Sequence, residues 1–400
     1  MRLGTANTYD STLSNLMKRQ VELSGQQEKL TSGKKINRAS DDPTGAALAE
    51  RALTRTTRIE TEERALVLQR NAITLAESAL GDATALMQSL RELVVKANNG
   101  AMNSTNRASL AQEMRGLRDQ LFASANRNDT NGIPLFGGLG SAATPFSDPA
   151  TGVIFNGIAG QRASTEVSLP GAMDGSAIFM NVPTGNGTFN VALGGANTGT
   201  VWAAPGQVVS PGALTGDNYT VTFTVSATVP PVTTYDVVNT TTALPVPPAA
   251  QPYVDGQTIA FDGLSFVSHG VPQSGDTVLI APSTQSNIFE VLDRAIASID
   301  GANGNNIMTQ ATNLALVEFD AAMDRIQSAR GQAGDWLNRG DRISSSQTNR
   351  SIQLQGDRSK AEDLDMVQGI SDFQKMQTGY QAALQSYASV QRLSLFNFIN

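Results

Sequence analysis

Few residues in this chain of 400 could do covalent or metal chemistry. It has no cysteine and one histidine, His269. Thiol catalysis, disulfides and a His-paired metal site are therefore not expected. His269 lies in Phe266-Val267-Ser268-His269-Gly270, with Asp262 and Asp276 as possible partners, and reads as a surface-loop histidine. Gly137-Gly138-Leu139-Gly140 lacks the Gly-Lys-Ser/Thr and βαβ context of a phosphate-binding loop. What remains is charge. Lys34, Lys35 and Arg38 form a basic trio, Asp41 and Asp42 follow it, and Asp363 and Asp365 stand far down the chain. The trio is too small, and too poor in interleaved aromatics, for a nucleic-acid site. Opposite charge makes Asp363 and Asp365 candidate partners for it on an adjacent subunit. We expect no enzyme, no cofactor and no metal, but a protein that works by contact.

The elements that would carry such contacts lie at the two ends. Tyr9, Leu13, Leu16, Leu23 and Leu30 fall at alternating steps of three and four, with Gln20 and Gln27 filling two places. Met366, Ile370, Phe373, Tyr380, Leu384 and Tyr387 repeat the pattern, with Gln377 and Gln391 in the seam. A heptad helix has one apolar stripe and cannot bury it alone. The stripes suit packing with each other and with neighbouring copies. The seam glutamines either set register by hydrogen bonding across subunits or lie on wet helix faces. An internal coiled coil fits the periodicity equally well.

Between the ends, the pattern predicts long helices. The first spans about residues 5–32, with Gly33 as its C′ residue. Lys34 to Ser40 reads as a loop. Asp42 then caps a new helix that has Pro43 at N1. Ile59, Leu66, Ile73, Leu80, Met87 and Val94 repeat every seven residues, so this helix reaches about Gly100, on the order of 80 Å. A third helix with Leu110, Met114, Leu117 and Leu121 on one face folds back and ends before Asn131-Gly132. Near the other end, Asn287 and Glu290 have capping-box spacing. Phe289, Leu292, Ile296 and Ile299 share a face there, and Leu316, Phe319, Met323 and Ile326 share one in the next helix. A last long segment is expected from about Ala333 to the end.

The centre reads differently. From residue 135 to 285 the one basic residue, Arg162, meets eight acidic ones, so this stretch carries the whole net charge of -7. Such a surface repels nucleic acid and anionic membrane. Tyr219–Val225, Phe189–Leu193 and Thr258–Phe261 alternate as strands, with Asp262-Gly263 as a hairpin turn. The proline-rich stretch from Pro230 to Pro252 reads as an exposed loop. No run of 18 apolar residues could cross a membrane, and the first residues lack the apolar segment of a signal peptide.

The run Leu30-Thr31-Ser32-Gly33-Lys34-Lys35-Ile36-Asn37-Arg38-Ala39-Ser40-Asp41-Asp42-Pro43-Thr44-Gly45 closely resembles the characteristic N-terminal segment of bacterial flagellins. Ser359-Lys360-Ala361-Glu362-Asp363-Leu364-Asp365 and Leu393-Ser394-Leu395-Phe396 resemble their C-terminal counterparts. Asn131-Gly132-Ile133-Pro134-Leu135-Phe136-Gly137-Gly138 and the ending Leu395-Phe396-Asn397-Phe398-Ile399-Asn400 are most similar to the hook–filament junction branch of this superfamily. Pro134 and three positions of the ending depart from that branch's pattern. The resemblance implies an α+β fold, in which N- and C-terminal regions form an antiparallel rod of long helices, with the β-rich domain, central in the sequence, at one end. It divides the chain at 1–44, 45–134, 135–285, 286–358 and 359–400, the outer two being assembly segments. It implies export without a cleaved signal, an extracellular place in the flagellum, and self-assembly in a ring or helical layer. Partners would be hook-associated protein 1, flagellin and a cytoplasmic export chaperone. A minor filament flagellin and, from another class, a secreted adhesin are the alternatives.

Overall fold

The computed structural model describes residues 5–99, 102–140, 143–301 and 304–396, with side-chain detail from residue 10 to 389. Its described residues form an α+β chain with long helices toward both termini and a β-rich centre. The helices are α1 (Thr5–Ser32), α2 (Pro43–Ala97), α3 (Ser104–Ala125), α4 (Gly175–Phe179), α5 (Ile288–Gly301), α6 (Asn305–Glu362) and α7 (Met366–Phe396). The chain divides into two compact units. One runs up to Arg64 and resumes at Ile343; the other is Ala65–Arg342.

In the second unit the seven-residue repeat becomes a core. Leu66, Ile73, Leu80, Met87 and Val94 of α2 are all buried, as the heptad requires. Side chains along α2 and α6 pair in antiparallel register. Arg70 meets Asp341, Glu77 meets Arg330, and Arg91 meets Asp320. Thr309 donates to Asn98 at 3.1 Å. Exposed pairs of this kind are worth about 0–1 kcal/mol each, so they fix register more than they add stability. α3 returns antiparallel to α2: Ser124 Oγ donates to the Ala79 carbonyl, and Arg127 pairs with Asp82. Asn103 caps α3 by accepting from the Asn106 amide. Asn287 caps α5 by accepting from the Glu290 amide at 2.8 Å; the Glu290 carboxylate takes the Ser286 hydroxyl rather than closing a full capping box.

The segment after α3 is anchored by phenylalanines. Phe136 and Phe146 each meet Phe179 edge-on, and Phe122 meets Phe289. The glycines beside Phe136 have steric reasons to be there. A Cβ at Gly138, whose φ is +65°, would stand 2.3 Å from the Ile158 carbonyl oxygen, and one at Gly140 would stand 2.8 Å from the Ile158 amide. Backbone therefore approaches backbone where the sequence runs Leu-Phe-Gly-Gly.

The strands are β1 (Phe146–Ser147), β2 (Ile154–Phe155), β3 (Val182–Pro183), β4 (Phe189–Leu193), β5 (Trp202–Ala203), β6 (Gln207–Val208), β7 (Tyr219–Val225), β8 (Thr233–Asn239), β9 (Leu244–Pro252), β10 (Gln257–Phe261), β11 (Leu264–His269), β12 (Thr277–Pro282) and β13 (Gln285–Ser286). Five form an antiparallel sheet in the order β4-β12-β7-β8-β9. The β10–β11 hairpin carries β5 and β6 on its other side. Val191, Val221, Phe223, Phe266, Val278 and Ile280 belong to one buried core shared by these strands. Asp262 and Gly263 turn the hairpin with positive φ at both positions, as an Asp-Gly turn should.

Three sequence expectations change. The proline-rich stretch is not a loop: it holds β8, an interior strand without proline, and β9. β9 contains Pro245, Pro247, Pro248 and Pro252, but it is an edge strand, where a missing amide donor costs no ladder bond. His269 ends a strand instead of sitting in a loop. It stacks on Trp202 at 4.4 Å and faces Asp255 at 3.5 Å; Asp262 takes the Tyr219 hydroxyl, and Asp276 accepts the backbone amides of Thr198, Gly199 and Gln273. Finally, α6 is one helix of 58 residues that spans two expected segments, and the segment expected to run from Ala333 to the end breaks between Glu362 and Met366, where Leu364 bonds the Gly33 carbonyl and Asp365 caps α7. Its glycines lower helix propensity without breaking the pattern. Gly340 packs where a Cβ would meet Leu169 and Arg70 at 3.0–3.1 Å, whereas Gly331 and Gly334 face open space. Replacing Gly331 and Gly334 together with alanine should raise stability by about 0.5–1 kcal/mol each, visible as a higher melting temperature in calorimetry. No gain would show that flexibility at these positions is not what limits α6.

Candidate assembly interface

The first unit holds all the seam and charge candidates. α1 packs on α7. The pairing is antiparallel: Gln26 donates to the Gly369 carbonyl at 3.1 Å, a side chain at 369 would lie 3.2 Å from Leu30 Cδ2, and one at Gly379 would lie 2.8 Å from Arg19 Nη1. At these two glycines the side chains of Leu30 and Arg19 lie close over the α7 backbone. Leu16 is buried; Leu13, Leu23, Leu30, Phe373, Tyr380 and Tyr387 are half-buried, and Ile370 and Leu384 remain exposed. Gln20, Gln27 and Gln377 are exposed. Tyr9, Gln391 and the closing run from Leu393 lie outside the residues whose side chains are described.

The loop after α1 is tied to the end of α6 by backbone. The Lys35 amide donates to the Glu362 carbonyl at 2.8 Å, and the Leu364 amide to the Gly33 carbonyl at 2.9 Å. Lys34 and Asp363 face each other in a two-residue antiparallel bridge. Gly33 takes a φ of +71°, which ends α1 and turns the chain into this clasp.

The basic trio finds its partners within the chain. Lys34 Nζ lies 3.2 Å from Glu362, which also pairs with Arg358 at 2.9 Å. Lys35 Nζ donates to the Lys360 carbonyl at 2.7 Å, and Arg38 approaches Glu28 at 3.6 Å. Asp363 accepts the Ser359 hydroxyl. Asp365 caps α7 by accepting from the Val367 and Gln368 amides. Asp42 caps α2 by accepting from the Thr44 and Gly45 amides, both at 3.0 Å. Asp41 folds the loop over itself, accepting from Asn37 and Arg38; the Arg38 amide is the main cause that holds its carboxyl below the usual range. Gly45 is buried, and a Cβ there would lie 2.5 Å from Ile36 Cδ1 and 2.6 Å from the Asp42 carboxylate. Lys34 to Gly45 therefore works locally as a clasp and a helix start. Glu362 is the residue the sequence reading missed. Its place in Lys-Ala-Glu-Asp-Leu-Asp was visible, but nothing in its spacing ties it to a lysine more than 300 positions away.

Helix pairing leaves apolar side chains uncovered on both helices. Met17 and Val21 on α1 are 57% and 71% exposed. With Asp10, Leu13, Ser14, Lys18 and Glu22 they line an open groove. On α7, Met366, Val367, Ile370 and Leu384 are exposed, Val367 to 82%. Met17, Val21 and Val367 lie beside the heptad seam, so a reading of the seam passes over them.

A family model described as the bacterial flagellin N-terminal helical region matches residues 4–141. Hook-associated protein 3 of Salmonella typhimurium is 23% identical over 403 residues, covering 99% of each chain. The crystal structure of the flagellar junction protein FlgL from Legionella pneumophila is 30% identical; the match covers 73% of this chain and 98% of that one, with a TM-score of 0.68. This chain belongs to the FlgL, or hook-associated protein 3, family of the flagellin superfamily. The family consists of structural proteins of the bacterial flagellum, an extracellular appendage, and not of enzymes. Flagellin of Bacillus subtilis is 30% identical as well, but over 40% of this chain and 52% of that flagellin. The helical motifs are thus shared with filament proteins, whereas likeness along the whole chain is to hook-associated protein 3. Among the described residues no helix is long and apolar enough to cross a membrane, and no cluster of carboxylates and His269 could hold a metal.

Proposed function

We propose that this protein joins hook to filament by self-assembly at the distal end of the growing flagellum, and so supports swimming. The observation that carries this reading is the end-to-end likeness to a hook-associated protein 3, set against flagellin likeness limited to part of the chain. The uncovered apolar side chains Met17 and Val21 on α1 and Val367 and Ile370 on α7 support it physically. Copies stacked in a ring or helical layer bury these side chains by heterologous contacts, each fully buried large side chain being worth about 1.5–3 kcal/mol. Residues 1–44 and 359–400 are the assembly segments. Leu13, Leu16, Leu23, Leu30, Phe373, Tyr380 and Tyr387 build the α1–α7 pair that presents these side chains. Hook-associated protein 1 on the hook side, flagellin on the filament side and an export chaperone are the partners of this role. Deleting the gene should leave hooks without filaments by electron microscopy, with filament protein shed into the medium. Normal hooks with shorter filaments would instead identify a minor filament subunit.

A further inference from the structure

The Ala65–Arg342 unit holds a cleft of about 1050 Å³ between β4, β5 and the start of α6. It is at the upper end of the size range of small-molecule sites. None of the described residues that line it carries a charge, although the surrounding stretch holds eight acids and one base. Its wall is built from amides already committed to the backbone. Gln310 Nε2 donates to the Val191 carbonyl at 2.8 Å while its Oε1 accepts the Ala203 amide at 2.7 Å, stapling β4 to β5. Asn306 donates to the Gly199 and Val201 carbonyls, and Asn197 to the Thr277 carbonyl. A preformed wall loses little entropy when it binds.

Set into this wall is Trp202. His269 covers one face of the indole at 4.4 Å and 17°, and Asp255 in turn faces the imidazole. The ring is therefore held in place. Its Nε1–H has no hydrogen-bond partner among the described residues, and neither do the Thr198 hydroxyl and the Asn305 side-chain amide, which share the cleft. A fixed aromatic surface, neutral donors and acceptors, and no charge among the described lining residues together describe a site for a ligand with apolar faces and many hydroxyls. We propose that this cleft binds a neutral oligosaccharide. An anion would meet the acidic surroundings. A peptide adding as a strand would find the outer edge of β4 taken, because Asn186 pairs with both backbone groups of Phe189 and Gln310 holds Val191.

The test is a ¹H–¹⁵N NMR titration of the full-length protein with linear hexasaccharides of the α-glucan, β-glucan, chitin and mannan types, and with a neutral Ser-Gly hexapeptide. The chain has two tryptophans, so Trp202→Phe assigns the Trp202 indole signal by its loss. At least one sugar should shift that signal saturably and leave Trp336 unmoved. Trp202→Ala should weaken binding about tenfold, with the backbone amide spectrum of the β core unchanged. The proposal is overturned if none of the four sugars shifts the Trp202 signal, if both indoles shift alike, or if only the peptide binds. Because the site lies away from α1 and α7 in sequence, its failure would leave the junction role intact.

Discussion

Val21→Asp and Val367→Asp should each leave a folded, soluble subunit that no longer assembles into flagella. Both side chains face solvent in the single chain, at 71% and 82% exposure, so the change should alter subunit stability by no more than about 0.5 kcal/mol. Position 367 is in the first turn of α7, next to the Asp365 cap, where a carboxylate favours the helix dipole. Any loss of assembly there cannot be blamed on a weakened helix. In a contact between copies the same carboxylate replaces an apolar contact and must be desolvated without a partner, at a cost of several kcal/mol. That cost recurs at every repeat of the contact. Circular dichroism melts of the purified subunit should match the wild type, while complemented deletion cells should fail to swim and bear bare hooks. Normal swimming by both variants would remove this surface from the assembly.

Arg118→Met should destabilise the Ala65–Arg342 unit by about 2–4 kcal/mol. Arg118 is 9% exposed on α3. It donates to both oxygens of Asp293 at 3.1 and 3.0 Å, bonds Asp148, and lies 5.9 and 5.7 Å from the Phe122 and Phe289 ring centres. Burial alone would lower its pKa, but the bonds to Asp148 and Asp293 outweigh that and raise it. Methionine keeps the apolar contacts and strands two carboxylates. Those carboxylates are 33% and 52% exposed, so water recovers part of the loss, and the figure falls below that of a fully buried pair. Adding Asp293→Asn should restore part of the stability in a double-mutant cycle followed by urea denaturation. An Arg118→Met variant as stable as the wild type would mean that packing, and not the ion pair, holds α3 on α5.

Arg118 also shows where sequence reading stops. Leu110, Met114, Leu117 and Leu121 were legible as one face of α3 because periodicity marks apolar residues; all but the half-buried Leu117 are buried. A charged residue buried on that face is invisible until its partners arrive, here from 30 and 175 positions away. Gln310 and Glu318 are similar: Glu318 accepts the Gly185 amide and the Arg294 guanidinium in the interior. The long repeat from Ile59 to Val94, the Asp42 and Asn287 caps, and the strands Phe189–Leu193 and Tyr219–Val225 could be read directly. Each rests on a local rule that tertiary contacts did not oppose. β9 was missed because proline forbids an interior strand but permits an edge, and only the assembled sheet says which it is. In the candidate assembly segments the apolar stripes at Leu13–Leu30 and Ile370–Tyr387 were legible. Which part of them one chain covers by itself, and that Met17, Val21 and Val367 stay bare, depends on the α1–α7 pairing.

Hydrogen exchange read by mass spectrometry, on the free subunit and on isolated hook–filament junctions, addresses the idea that stacking copies cover what one chain leaves exposed. Peptides from residues 10–30 and 366–389 should exchange much more slowly in the junction, while those of the β4–β12 core should exchange alike in both. Equal exchange of the terminal peptides in the two states would contradict it.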